Sequence, residues 1–370
     1  MTIKRQLLNI NQKSIDVRMG AGALEELPRM VTGAVGLPKR ALFVCEQASY
    51  DVFGTLVRRA LIDAGFSVEE AILPDGAEAA SMDWLGRVLS RCAAASLTSD
   101  DLVFGLGDSS LCALASCASQ LWCGGTSCVL VPTTLEAMVT AATEMHPLAV
   151  EGAADMVSLR PMPSMIICDF DLIPRMSAEA RLEGRVLMVG AALAEGKRLW
   201  EQLGEVASRL AADDPMAFSE VFNLIQQARR NVVKAANPSS RHALAYGQTT
   251  ARALAACLGP DVPAWALRSE GMRFEARLAV EAAGLDPEVV FDQDDLFEDL
   301  SVEEYGFTLG AEELVDAIKR EHARRSNRFL LPLPKSVGMV RLTAVPDDVL
   351  LRHATAYVAS RAELAEETGR

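Results

Sequence analysis

The chain has 370 residues, enough for two domains with sizeable cores. Half of the residues are hydrophobic, 23% are charged and the mean hydropathy is +0.16, the composition of a soluble globular protein. A net charge of −14 excludes the basic footprint that nucleic acid or an anionic membrane surface requires.

Taken in chain order, Lys39–Cys45 reads as a strand. Asp51–Ala64 places Phe53, Leu56, Val57, Ala60 and Leu61 at helical spacing and closes on Gly65. Further strands are predicted at Leu102–Phe104, Cys128–Val131 and Met165–Cys168, alternating with helical runs. That alternation predicts a parallel sheet covered on both faces. After Pro174 the pattern is almost purely helical: Ala178–Leu203, Pro215–Ala235, Leu244–Leu258, Trp265–Ala283, Ala311–Arg325, then a last helix from Pro346. The expected division is an α/β nucleotide-binding-like domain over 1–172 and an all-helical domain over 173–370, with the active cleft between them. No internal repeat, membrane-length apolar run or signal-peptide core stands out. The eight cysteines form no C-x-x-C pair, so reduced thiols and a cytoplasmic location are expected.

Several segments together resemble the dehydroquinate synthase and sugar-phosphate cyclase family. They are Met19-Gly-Ala-Gly-Ala-Leu-Glu-Glu-Leu27, Leu73-Pro-Asp-Gly-Ala-Glu78, Asp101-Leu-Val-Phe-Gly-Leu-Gly107, Val129-Leu-Val-Pro-Thr-Thr-Leu135 and Met165-Ile-Ile-Cys-Asp-Phe-Asp171. Leu244-Ala-Tyr-Gly-Gln-Thr-Thr-Ala-Arg-Ala-Leu254 is similar to the family's metal helix, L-N-x-G-H-T-x-G-H-A. Leu244, Gly247, Thr249 and Ala253 keep that frame, while Gln248 and Arg252 stand where its histidines would be. The resemblance implies a Rossmann-like α/β domain with a parallel sheet, followed by a helical domain.

It also implies a divalent metal held by one Glu and two His, and the residues here do not supply that set. Zinc needs neutral imidazole or anionic ligands. Arg185 takes the Glu position of the family's A-E-V-I-K, Met188 takes its Lys, and the remaining His falls at about Ser269. No zinc is expected. NAD is expected to be lost as well. Ala77, Ala80 and Leu111 replace its acidic and basic contacts, leaving Gly105, Gly107, Asp108, Thr133 and Thr134 as a vestigial nucleotide set.

Of the substrate set the resemblance implies, Arg241 keeps its family position, Arg229 stands near a substrate Lys, and Arg324-Arg325 resembles a basic pair. Arg185, Arg241 and Arg252, with His146 as a general base, are the candidate catalytic residues; Arg229, Gln248, Tyr246, Met188 and Arg324 are candidate substrate contacts. Arginine forks suit carboxylate or phosphate, and fixed positive charge can steady an enolate without a metal. The bland alternative is that Arg185 and Arg252 pair with Glu183, Glu270 or Glu275 and fill a vacated hole, and that His146 is structural. Met138, Met145, Met188 and Met272 suggest an apolar, polyketide-like ligand. The Glu298–Glu304 acidic run reads as a solvated helix entrance. Two functions stand at this point: a metal-independent cyclase or lyase acting on an anionic or polyketide-like intermediate, or a non-catalytic pseudoenzyme. Either is expected as a homodimer or as a heteromer with an active homologue.

Overall fold

A computed structural model describes residues 3–10, 13–35, 40–74, 79–151, 153 and 156–369. The chain forms two compact units, one of residues 1–176 and 218–226, the other of 177–217 and 227–370. The first unit ends a few residues beyond the expected 172 and recruits a short piece of a later helix.

The first unit carries β1 (Lys4–Ile10), β2 (Lys13–Gly20), α1 (Leu27–Val35), β3 (Arg40–Glu46), the single turn α2 (Gln47–Ser49), α3 (Thr55–Asp63), β4 (Ser67–Leu73) and α4 (Met82–Ala94). It continues with β5 (Leu102–Gly107), α5 (Ser109–Leu121), β6 (Ser127–Pro132), α6 (Leu135–Thr140), the short strands β7 (His146–Leu148) and β8 (Val157–Leu159), and β9 (Met165–Asp169). Seven strands form one sheet in the order β1-β2-β9-β6-β5-β3-β4. β1 pairs antiparallel with β2 and the other neighbours are parallel. β3, β5, β6 and β9 are buried along almost their whole length, as strands covered on both faces must be. Ser81 and Thr134 start α4 and α6 by accepting the backbone N–H groups of Trp84 and Ala137.

In the second unit the helices are α7 (Ala178–Glu195), α8 (Lys197–Ala211), α9 (Pro215–Val233), the single turn α10 (Pro238–Arg241), α11 (Gln248–Leu258), α12 (Ala264–Ala282), α13 (Pro287–Asp299), α14 (Ala311–Ala323) and α15 (Asp347–Thr368). Of α9, Phe218–Gln226 belongs to the first unit. Between α14 and α15 lies a hairpin of β10 (Leu331–Ser336) and β11 (Met339–Thr343) that the helical pattern does not predict. The run expected as one helix over 178–203 is two, because Gly196 turns the chain at φ 143°. The acidic run over 298–304 spans the last two residues of α13 and the loop that follows, not a helix entrance. No helix among the described residues is long and apolar enough to cross a membrane.

Candidate functional site

In the helical unit, the residues expected to surround a ligand are mostly consumed by the protein itself. α11 and α12 cross so closely that a Cβ on Gly271 would collide with the Gly247 carbonyl oxygen and the Ala251 amide nitrogen. Gly247 begins α11 at φ 76°, and a Cβ there would strike Met272 Cγ at 2.5 Å. Only glycine fits both positions. With Gly271 as the glycine that follows the remaining metal His in the family's pattern, that His position falls on Glu270 and not on Ser269.

Glu275, wholly buried on α12, accepts the Gly247 N–H at 2.7 Å and the Thr250 hydroxyl at 2.8 Å. Burial pushes its carboxyl up to about 7, opposed by those two donors and by the Arg268 charge. Glu270 is equally buried. It accepts from Arg361 Nε at 2.6 Å, from the Tyr357 hydroxyl and from the Tyr305 N–H at 3.0 Å. Arg273 pairs with Asp294 at 2.6 Å, and Arg277 joins the same carboxylate at 2.7 Å.

Arg185 is not an open guanidinium. It is 4% exposed and donates from Nη1 to the Leu300 carbonyl at 3.1 Å, and from Nη2 to the Ala211 carbonyl at 3.0 Å and Asp213 Oδ1 at 2.6 Å. Burial pulls its pKa down and Asp213 pulls it back. Asp213 also binds Arg181 at 3.3 Å. The bland alternative is therefore right in kind for Arg185, but with Asp213 as the partner in place of the expected Glu183, Glu270 or Glu275.

Met188 is core, and so are Met138 and Met272; among the four methionines expected to line a ligand, only Met145 is exposed. Tyr246 is buried with its hydroxyl held by the Met272 carbonyl at 2.7 Å and Gln293 Oε1 at 2.9 Å. Both residues are corrected from ligand contacts to packing residues. Arg229 is 1% exposed, so it too is interior. Arg324 is a surface residue paired with Glu321 at 3.0 Å, and Arg325 shares that carboxylate. Gln248 opens α11 and, like Arg252 one turn on, is half-buried. Arg241 alone among the candidate arginines is exposed with no side-chain hydrogen bond or ion pair among the described residues.

The donor set answers the metal question chemically. A guanidinium locked to Asp213, an amide and a Glu already held by Arg361 offer a divalent ion no coherent ligand group. The residues do not fit a metal.

In the α/β unit, the glycine turn is also filled from within. Glu46 ends β3, is 5% exposed, and accepts the Asp108 N–H at 2.6 Å and the Ser49 hydroxyl at 2.9 Å. Asp108 caps α5 by accepting the Leu111 N–H at 2.9 Å. The Thr133 N–H donates to the Gly107 carbonyl at 2.8 Å, its hydroxyl lies 3.2 Å from that of Ser49, and Thr134 caps α6. Leu111 and Ala80 are buried; Ala77 lies outside the described residues. Glu46, Ser49 and Asp213 were missed in the sequence, and a carboxylate closing a buried strand is the one signal that points to Glu46.

His146 is 4% exposed. Its Nε2–H donates to the Ala141 carbonyl at 3.1 Å, and burial pulls its pKa down to about 4. It is a neutral structural imidazole, which corrects the general-base expectation.

A family model described as the 3-dehydroquinate synthase N-terminal matches residues 70–182. The 3-dehydroquinate synthase of Thermobifida fusca (strain YX) is 24% identical over 372 residues, covering 100% of both chains. That of Microcystis aeruginosa (strain NIES-843) is 23% identical over 361 residues, 93% of this chain and 96% of its own. Among solved structures, a 2-epi-5-epi-valiolone synthase from Streptomyces hygroscopicus subsp. jinggangensis with NAD+ and Zn2+ bound superposes with a TM-score of 0.82 at 17% identity, over 97% of this chain and 99% of that one. A 2-deoxy-scyllo-inosose synthase complexed with carbaglucose-6-phosphate, NAD+ and Co2+ gives 0.84 at 13% identity, over 95% and 99%. At these identities the structural likeness concerns the fold.

Proposed function

We propose that this chain, similar along its whole length to 3-dehydroquinate synthases, is a dehydroquinate synthase-like protein that has left metal- and NAD-dependent cyclisation behind and serves as a binding subunit, a pseudoenzyme. The observation that carries this reading is the Arg185–Asp213 pair, with two backbone carbonyls also accepting from the guanidinium's Nη1 and Nη2. A cation so enclosed stabilises the fold and has little left to offer a substrate. Glu275, Glu270 and Tyr246, all buried, have likewise given their polar atoms to neighbouring chain. The partner is an active cyclase homologue or a second copy of this chain, and any small ligand is anionic.

A second reading, a metal-independent cyclase or lyase on an anionic or polyketide-like intermediate, is favoured by Arg241. Its exposed guanidinium is available for a carboxylate or enolate.

Elemental analysis of the purified full chain, with phosphate release from the seven-carbon sugar phosphate used by dehydroquinate synthase, tests the proposal. We expect far less than one zinc, cobalt or iron per chain and no release, with or without added metal and NAD. One tightly held ion per chain, or chelator-sensitive release, would overturn it.

A further inference from the structure

In an open parallel sheet, ligands enter beyond the carboxyl ends of the strands, at the point where strand order reverses. Here β3 leads to β4 on one side while β5, β6 and β9 follow on the other, so the reversal lies between β3 and β5. The residues at those two strand ends are Glu46 and Gly107, and α5 starts directly after. A glycine turn feeding a helix N-terminus offers backbone N–H groups and a positive dipole end to a phosphate.

Both glycines of this turn are explained by the chain's own packing. A Cβ on Gly105 would meet Ala115 Cβ at 2.8 Å and Leu130 Cδ2 at 3.0 Å, so Gly105 lets α5 and β6 approach the strand. A Cβ on Gly107 would meet Glu46 Oε1 at 2.6 Å and Leu111 Cβ at 2.8 Å. The space above Gly107, which a dinucleotide fingerprint keeps clear for pyrophosphate, is taken by a buried carboxylate. That carboxylate accepts the Asp108 N–H, and the Asp108 side chain in turn accepts the Leu111 N–H.

We infer that Glu46 is a built-in anion filling the phosphate position of the switch-point crevice, seconded by Asp108, so that the crevice refuses phosphate-bearing ligands until the carboxylate is removed. This rests on the reading above that the dinucleotide has been lost, and it names the residue that enforces the loss. The device is local: one side chain supplies both the hydrogen-bond acceptor and the negative charge that a phosphate would bring.

The test is titration calorimetry and melting of the full chain with inorganic pyrophosphate, ADP and NAD, comparing wild type, Glu46→Ala, Glu46→Gln and Glu46→Ala/Asp108→Asn. Wild type is expected to bind none of them at millimolar concentration. Glu46→Ala should bind pyrophosphate and ADP at least about tenfold more tightly than wild type, a change of about 1.4 kcal/mol, and the double variant more tightly still. Glu46→Gln keeps the shape, loses the charge and gains less; it decides the matter if the alanine variant fails to fold. Wild type binding pyrophosphate as well as the variants do would overturn the inference. Wild type binding NAD with a shift that pyrophosphate lacks would sink the lost-dinucleotide reading together with it. Folded variants that gain nothing over a non-binding wild type would remove Glu46 alone.

Discussion

The Gly247 N–H and the Glu275 carboxylate meet at 2.7 Å, at the first turn of α11 and out of reach of water. This bond ties α12 to the segment that in the family carries the metal ligands. It also gives the fold a carboxyl group that titrates close to neutrality.

Glu275 has an ordinary value of 4.5 and is pushed up to about 7 by burial, so the folded state holds its proton more tightly than the unfolded chain does. Its contribution to stability is fully present below about 4.5 and is lost as pH rises through about 7. The gap corresponds to roughly 3 kcal/mol at most. Glu275→Gln should therefore melt higher than wild type at pH 8 and close to it at pH 4.5. Equal melting temperatures at pH 8 would show that the carboxylate is comfortable where it sits.

His146 works in the opposite sense. Its value falls from 6.5 to about 4, so its contribution is present above about 6.5 and lost as pH drops toward 4. Ring resonances of His146 followed by NMR should show no protonation between pH 5.5 and 8. His146→Gln, which can still donate to the Ala141 carbonyl, should leave a chain whose stability only falls with rising pH across the Glu275 window. A midpoint near 6.5 for His146 would mean that the imidazole reaches solvent.

The buried strands were legible because runs such as Leu102–Phe104 and Cys128–Val131 leave no polar alternative, and the sheet fills in around them. Helix breaks were less so. The apolar spacing runs on across Gly196, and only its backbone angle separates α7 from α8. α13 was hidden by its acidic residues, although Asp286 and Pro287 begin it in the usual way. The candidate site was least legible, since its partners are distant in sequence. Arg185 and Asp213 are 28 positions apart, and Glu46 and Asp108 are 62 apart. Motif frames say which residues replace a ligand set, but not which side chains then absorb them.

Arg185→Ala should cost about 3 kcal/mol, read as a lowered denaturation midpoint, because it strips a partner from Asp213 and leaves the Leu300 and Ala211 carbonyls without their donor. Arg181 would still neutralise part of the Asp213 charge. A residue of an open ligand site would change stability by less than about 0.5 kcal/mol. That smaller value would restore Arg185 to the list of functional groups.

Arg241 gives the opposite expectation. Arg241→Lys and Arg241→Ala should both leave stability within about 0.5 kcal/mol of wild type, as suits an exposed side chain without partners among the described residues. If the second functional reading holds, product formed from a carboxylate-bearing intermediate should fall sharply in the lysine variant, since an ammonium cannot reproduce the two-pronged fork. Undiminished turnover would take Arg241 out of the chemistry and leave the binding-subunit reading standing.

The short stretch of α9 that belongs to the first unit sets an order of events during synthesis. Phe170 packs against Phe218 and Phe222, with ring centroids 6.0 and 5.3 Å away, and Gln226 caps the Met138 and Val139 carbonyls from Nε2 at 3.0 and 3.2 Å. Emerging from the ribosome, the α/β unit therefore has its strands long before it has its last core residues. It must wait, with those carbonyls and that aromatic ring uncovered, until residue 226 clears the exit tunnel. A chain stopped at residue 176 is thus an unfinished protein, and one that a chaperone should hold longer than a chain reaching past α9.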